Sequence, residues 1–307
     1  MEGSARGYRA IPWPWRWVGL AVLVVLGLAA LRSRPDGQLH LYFLPVGQGN
    51  GILVVTPAGH RVLIDGGPDS QALRVALGRR LPFWQRELDL VLLTETAPTR
   101  MAGPVAAIER YRALAAGRPG RARTSPQWER WQEILARQGL EPVALGRGAR
   151  VTLDDGVTLE VLFPGPQPLE GVEPGARDDS LVLRISYRAF RALIPGAAGP
   201  AAQRALLALE TDLGSAVLLV PRQGEHHALD PRFLEAVRPA VAIVSAGAGY
   251  HEGPDARTLE QLRAAGIPYH RTDREGTIEL RTDGQRLGIR SERRGWKAIP
   301  LAGPLAP

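Results

Sequence analysis

The chain has no cysteine among its 307 residues, which removes thiol nucleophiles, disulfides, cysteine-ligated zinc and iron–sulfur clusters together. Without cysteine, compartment cannot be read from redox chemistry. Lysine is nearly absent as well: Lys297 stands alone, so the positive charge is carried by arginine. Basic residues exceed acidic ones by 38 to 31, a margin of +7 that invites phosphates or anionic lipid only modestly. No Gly-x-Ser-x-Gly elbow occurs, and Ser245, at a predicted strand end, has no evident base, so a serine hydrolase is unsupported. Apolar residues, by contrast, are plentiful. At 45% hydrophobic and 22% charged, the sequence excludes wholesale disorder and suffices for one large or two ordinary domains. Six histidines and many carboxylates keep a His/carboxylate metal site open on composition alone.

From Trp17 to Leu31 the chain is uncharged and strongly apolar, after Arg6, Arg9 and Arg16 and before Arg32 and Arg34. Fifteen residues of helix cover roughly 22 Å, short of a hydrocarbon core of about 30 Å unless Trp13, Trp15, Trp17 and a snorkelling Arg16 extend it. The expectation is a single transmembrane anchor over 17–31, with residues 1–16 as a basic, aromatic flank and 32–38 as a linker. The alternative is a signal peptide cleaved near Gly27-Leu28-Ala29, which would leave a secreted protein. Three arginines before the run against two after favour the N-terminus inside, and both readings carry the bulk of the chain out of the cytoplasm. A buried core helix is disfavoured, because the run is apolar on every face and is flanked by Pro12, Pro14 and Pro35.

Beyond Gly37, β-type runs alternate with amphipathic segments. Strands are predicted at 39–44, 51–56, 61–65, 88–93, 157–163, 181–186, 191–194, 216–220, 241–245, 277–281 and 286–290. Helices are predicted at 70–80, 104–116, 127–138, 200–210, 231–237 and 255–265, with Asp69 or Ser70, Asp230 and Asp255 as capping residues. The Gly/Arg/Pro-rich stretch 117–123 reads as an exposed loop. Intermixed strands and helices in two comparable halves imply an α/β layered sandwich, with one domain over 39–290 and a basic, Pro-containing tail over 291–307.

Several phrases in order resemble the extracellular metallo-β-lactamase-fold domain of the ComEC-type competence proteins, a membrane family associated with DNA uptake. They are Phe43-Leu44-Pro45-Val46-Gly47-Gln48-Gly49-Asn50, Leu63-Ile64-Asp65-Gly66-Gly67, Leu90-Val91-Leu92-Leu93-Thr94 and Asp179-Ser180-Leu181-Val182-Leu183-Arg184. Phe233 to Pro239, Ile243 to Gly247 and Thr272 to Ile278 continue the match. The resemblance implies a metallo-β-lactamase-like αββα four-layer sandwich, with two divalent metals along one edge of its sheets. Those metals would make a hydroxide nucleophile and clamp a scissile phosphate or carbonyl.

The ligands that the resemblance calls for are substituted here. The His-x-His-x-Asp-His places fall on Glu95, Ala97, Thr99 and Arg100, and the bridging aspartate on Ala197. The His-His pair falls on Arg222 and Gln223, and the late histidine on Gly253. The aspartates that flank Val-Gly-Gln-Gly in the family are Pro45 and Asn50, which leaves only Asp65 of the acidic signature. Alanine offers no lone pair and arginine brings a fixed positive charge, so no catalytic residue and no metal or other cofactor is expected. Arg100 and Arg222 could instead hold a phosphate without hydrolysing it, or be neutralised by internal carboxylates such as Glu95. A displaced site built from His226, His227, His251 and Asp65 is the enzymatic alternative; His40, His60 and His270 read as strand-end residues.

Asp154-Asp155 and Asp178-Asp179 read as solvated turns, and Gly247 to Gly253 as a chance likeness to a dinucleotide fingerprint. Arg110, Arg112, Arg118, Arg121, Arg123 and Arg130, interleaved with Tyr111, Trp128 and Trp131, form one arginine–aromatic group. Arg290, Arg293, Arg294 and Lys297 with Trp296 form a second, and a solvated or lipid-facing surface is expected for both. The i, i+3 spacing of Trp128 and Trp131 suits packing of a helix on the core. The expectation is a membrane-tethered pseudoenzyme that binds DNA or a protein of a DNA-uptake apparatus. A hydrolase with a relocated or metal-free centre and a structural envelope protein are the alternatives.

Overall fold

A computed structural model describes residues 35–167, 177–247 and 253–299. The Trp17–Leu31 run and His251 lie outside the described residues, as does most of the Gly247–Gly253 stretch. Among the described residues no helix is long and apolar enough to cross a membrane.

Two sheets pack face to face. The first begins with the antiparallel strands β1 (Leu39–Phe43), β2 (Gly51–Val55) and β3 (Arg61–Asp65). In β1, Leu39, Leu41 and Phe43 turn inward while His40 and Tyr42 turn out, the period of two that a strand imposes. In β2 and β3 both faces are apolar because both are covered: Ile52, Val54, Val62 and Ile64 face the opposing sheet, and Leu53 and Leu63 face helices. Those helices are α1 (Ser70–Arg80), α2 (Ala102–Arg110) and α3 (Pro126–Arg137). Asp69 caps α1 through Ala72 N, and Ser125 caps α3 through Trp128 N.

Leu88 to Leu93 is not one strand. Asp89 leaves the ladder to accept Arg61 N at 2.8 Å, so β4 (Glu87–Leu88) pairs with β6 (Arg112–Ala113) and only β5 (Leu90–Leu92) joins the large sheet beside β3. Helix α2 ends at Arg110 rather than near residue 116, and the predicted loop at 117–123 contains a buried strand, β7 (Ala116–Pro119). Glycine hides this strand from a propensity reading. A Cβ on Gly117 would lie 2.7 Å from Leu145 Cδ1 in the neighbouring β8 (Val143–Leu145), so the missing side chain is supplied from next door.

The second sheet runs β9 (Arg150–Thr152), β10 (Thr158–Phe163), β11 (Val182–Tyr187), β12 (Phe190–Ile194), β13 (Val217–Leu219), β14 (Val241–Val244) and β15 (Tyr269–Arg271). From β12 onward it is parallel. Its outer face lies under α4 (Pro200–Ala208), α5 (Pro231–Val237) and α6 (Ala256–Ala264). The short α7 (Thr272–Glu275) leads to β16 (Ile278–Thr282), β17 (Leu287–Ser291) and β18 (Arg294–Ile299). These return to the first sheet, giving the order β18-β17-β16-β1-β2-β3-β5-β7-β8. The sheet therefore continues past the expected boundary at Arg290, and part of the expected tail is an edge strand. Its sequence, Arg-Gly-Trp-Lys-Ala-Ile, lacks apolar alternation, and backbone pairing with β17 holds it instead. Helices, sheet, sheet and helices make the four-layer αββα sandwich, with the largest apolar cluster between the sheets.

Candidate functional site

Strand ends and the turns after them place the family-site positions in one cleft. Asp65 closes β3 in a left-handed conformation (φ 56°), which turns its carboxylate toward Thr94, beyond β5. It accepts the Thr94 amide at 2.7 Å and the Thr94 hydroxyl at 2.5 Å. Burial pushes the carboxyl up to about 7, against the pull of those two hydrogen bonds. The one surviving acidic position thus ties two loops together. Thr94 O in turn accepts from Leu181 N, linking the two sheets at this edge.

Ala97 to Arg100 form a single 3₁₀ turn closed by Arg100 N on Ala97 O at 2.8 Å. Ala97 has no donor atom, Thr99 is exposed and brings only a neutral hydroxyl, and Arg100 reaches across to donate to Gln223 Oε1 at 3.1 Å. Glu95 is buried, and its Oε2 has no hydrogen-bond partner among the described residues. Its carboxyl is held up by burial, which outweighs the nearby charges of Arg100 and Arg177. Burial likewise lowers the Arg100 guanidinium pKa, with Glu95 opposing the shift.

Residues Pro221 to Gly224 follow β13, and Arg222 (φ 49°) and Gln223 (φ 56°) are both left-handed. Two adjacent non-glycine residues in that region cost of order 1–3 kcal/mol each. The strain aims both side chains into the cleft. Arg222 donates to Asp178 Oδ1 at 2.8 Å and to the Ala197 carbonyl at 3.2 Å, so the backbone of the substituted bridging position has become a hydrogen-bond acceptor. Gln223 is fully buried; its Nε2 lies 3.4 Å from Asn50 Oδ1, and its Oε1 accepts from both Arg100 and Arg177.

Sequence reasoning missed three members of this network: Arg177, Asp178 and Glu225. Arg177 grips Glu225 with two nitrogens, at 2.8 and 3.1 Å. Burial works against its charge, but Glu225 more than compensates and the guanidinium pKa is raised. Asp178 also takes the amide of Gly199 at 2.6 Å, at the start of α4, while Asp179 is buried against Arg121 at 2.5 and 2.6 Å. The Asp178-Asp179 pair is therefore not a solvated turn. Its available signal was its place beside Arg177, immediately ahead of the Ser180-Leu181 phrase.

The residues present do not fit a two-metal centre. Two positions that need imidazole carry guanidinium, Ala97 and Ala197 carry no donor, and Asp65, Asp178 and Glu225 are engaged by Thr94, Arg222 and Arg177. At Gly253 the nearest described neighbour of a notional Cβ is Arg271 Nη2, at 3.9 Å, and glycine brings no donor side chain. His226 pairs with Asp255 at 3.1 Å and stacks edgewise on His227, and neither ring groups with Asp65 among the described residues. The one trio of metal-type ligands gathered among them is His60, Asp154 and Asp155, on the β2–β3 and β9–β10 turns. There His60 Nδ1 bonds Asp89, while Asp155 takes the amides of Ala58 and Val157. Ser245 is buried and donates its hydroxyl to Gly49 O at 2.8 Å. In the first arginine–aromatic group, Trp128 and Trp131 are buried and stacked at 5.3 Å, as their spacing predicts.

No family model matches the sequence. Over 265 residues, 80% of this chain, it is 24% identical to ComE operon protein 3 of Bacillus subtilis and spans 33% of that protein's length. Two solved structures share the fold. The metallo-β-lactamase fold protein YhfI from Bacillus subtilis matches at a TM-score of 0.52 and 12% identity, over 76% of this chain and 95% of that one. CmlA, a diiron β-hydroxylase from Streptomyces venezuelae, matches at a TM-score of 0.51 and 14% identity, over 81% of this chain and 55% of that one. Together with the αββα layers, these likenesses show the metallo-β-lactamase fold in a chain that is similar, over most of its length, to ComE operon protein 3.

Proposed function

We propose that this chain is a pseudoenzyme of its fold, tethered to a membrane outside the cytoplasm, which binds rather than hydrolyses and has an accessory role in DNA uptake. One observation carries the reading. Arg100 and Arg222 stand where metal-binding imidazoles would, and Arg177, Gln223, Asp178 and Glu225 tie them into a hydrogen-bonded network. Guanidinium groups can replace the positive charge of cations, but they supply no activated water. Arg222 is committed to Asp178, whereas Arg100 has no carboxylate within ion-pair distance among the described residues. Contact with a phosphate therefore falls to Arg100. The uptake context rests on the likeness to ComE operon protein 3, and the tether on the Trp17–Leu31 run.

The test is incubation of the full chain with labelled single-stranded and duplex DNA in Mn²⁺, Zn²⁺ or Mg²⁺. Salt-dependent retention of intact DNA, weakened by Arg100→Ala, is expected. Cleavage that co-purifies with the protein and disappears in Asp65→Asn would overturn the reading.

A further inference from the structure

Among the described residues, no helix packs on the outer face of β17 and β18. Ile278, Leu280, Leu287 and Ile289 turn into the core between the sheets, which leaves Glu279, Arg281, Gly288 and Arg290 on the opposite side. Trp296 lies across Gly288, with the Arg281 and Arg290 guanidinium carbons 4.3 and 4.9 Å from its ring centroid. Beside it is a groove of about 460 Å³ whose charged lining is Arg80, Arg290, Arg293 and Arg294 against Glu279 and Glu292. Internal pairing does not spend all this charge. Arg290 is held by Glu279 and Arg80 by Glu292 at 3.2 Å, but Arg294 comes no closer than 4.0 Å to Glu275. Arg293 and Lys297 make no ion pair among the described residues, and Arg80 Nε is buried without a partner.

Glu292 also lies 3.7 Å from Arg79, so the β17–β18 turn is pinned to the end of α1. The chain leaves α1 through Leu81-Pro82 into two exposed aromatics: Phe83 is 65% exposed and Trp84 41%, packed edge to face on each other at 4.8 Å. Arg79 before them and Arg86 after them are exposed as well. Uncovered aromatics rimmed by cations are what a surface needs when it meets an apolar layer beneath a layer of phosphates.

We propose that this face, formed by the β17–β18 hairpin and the turn after α1, docks the folded domain onto an anionic lipid surface. The arginines would meet headgroup phosphates, and Phe83 and Trp84 would enter the interface. A nucleic-acid strand fits less well. Among the described residues the cationic groove has no aromatic in its lining, the aromatic on the sheet face is already packed against two guanidiniums, and the free rings lie at a turn. The inference is independent of the cleft and of the Trp17–Leu31 run.

Co-sedimentation of the full chain with vesicles of phosphatidylcholine alone, and of phosphatidylcholine with one quarter phosphatidylglycerol, tests it. Any contribution from the N-terminal apolar run is common to every variant. Arg293→Glu/Arg294→Glu is expected to weaken binding to the anionic vesicles about 30-fold or more, two basic contacts at about 1 kcal/mol each, while leaving phosphatidylcholine binding unchanged. Phe83→Ser/Trp84→Ser is expected to weaken both, and Arg100→Ala neither. An unchanged preference for anionic lipid in the arginine variant, with its thermal midpoint intact, would overturn the proposal. So would loss of binding to a twenty-nucleotide oligothymidine with vesicle binding unaffected, which would make this a nucleic-acid face.

Discussion

Removing Asp178 tests whether carboxylate–guanidinium pairs now hold the cleft. Its Oδ1 takes two donors, the Arg222 guanidinium at 2.8 Å and the Gly199 amide at 2.6 Å, and both side chains of the ion pair are less than a quarter exposed. Hydrogen bonds to a charged group are worth about 1.5–3 kcal/mol each, and solvent at this partly exposed pair takes some of that back. Asp178→Ala should therefore cost about 3 kcal/mol. For a domain of this size that is a fall in thermal midpoint of roughly 6–12 °C. Asp178→Asn keeps an acceptor for Gly199 and loses only the charge, so about half the effect is expected. In a double-mutant cycle with Arg222→Met, followed by urea denaturation, the coupling should be about 1–3 kcal/mol. Additivity within about 0.5 kcal/mol, or an Asp178→Ala midpoint unchanged within experimental error, would refute the reasoning.

Two further outcomes follow from particular residues. Asp65 has its carboxyl pushed up to about 7 from 3.8, so between those values the folded chain keeps a proton that the unfolded chain has released. Stability from this group should fall as pH rises from about 4 through about 7, by at most about 4 kcal/mol. Wild type minus Asp65→Asn in urea at pH 5 and pH 8 reads that difference, and a gap independent of pH would contradict it. Gly103 sits at the start of α2, where an added Cβ would lie 2.0 Å from Gly66 O. Gly103→Ala should therefore cost at least about 3 kcal/mol or prevent folding, and a variant within about 1 kcal/mol of wild type would show that the backbone can yield there.

Much of the sandwich was legible because its strands have covered faces. Helix boundaries at Ser70–Arg80 and Pro231–Val237 match the structure because Asp69 and Asp230 mark their starts. The sequence was silent where local preference and tertiary context disagree. Gly117 and Pro119 disguise β7, and Asp89 breaks an apolar run for the sake of a hydrogen bond to Arg61. β18 has no apolar pattern at all. Within the cleft, substitution at the ligand positions could be seen residue by residue, but the partners of Arg100 and Arg222 could not. Gln223, 123 residues from Arg100, and Asp178, 44 from Arg222, meet them only through the fold.

If guanidinium–carboxylate and amide contacts stand in for metal ions in this cleft, as proposed, the protein carries no bound metal. Elemental analysis of the full chain, purified without chelator, tests it most directly, with Asp154→Ala in parallel to discount the surface trio at His60. Less than about 0.1 zinc, manganese or iron per chain is expected, with a thermal midpoint that EDTA does not move, since nothing that binds only the folded state is being removed. About two ions per chain, retained in Asp154→Ala and stripped by EDTA with loss of stability, would contradict it.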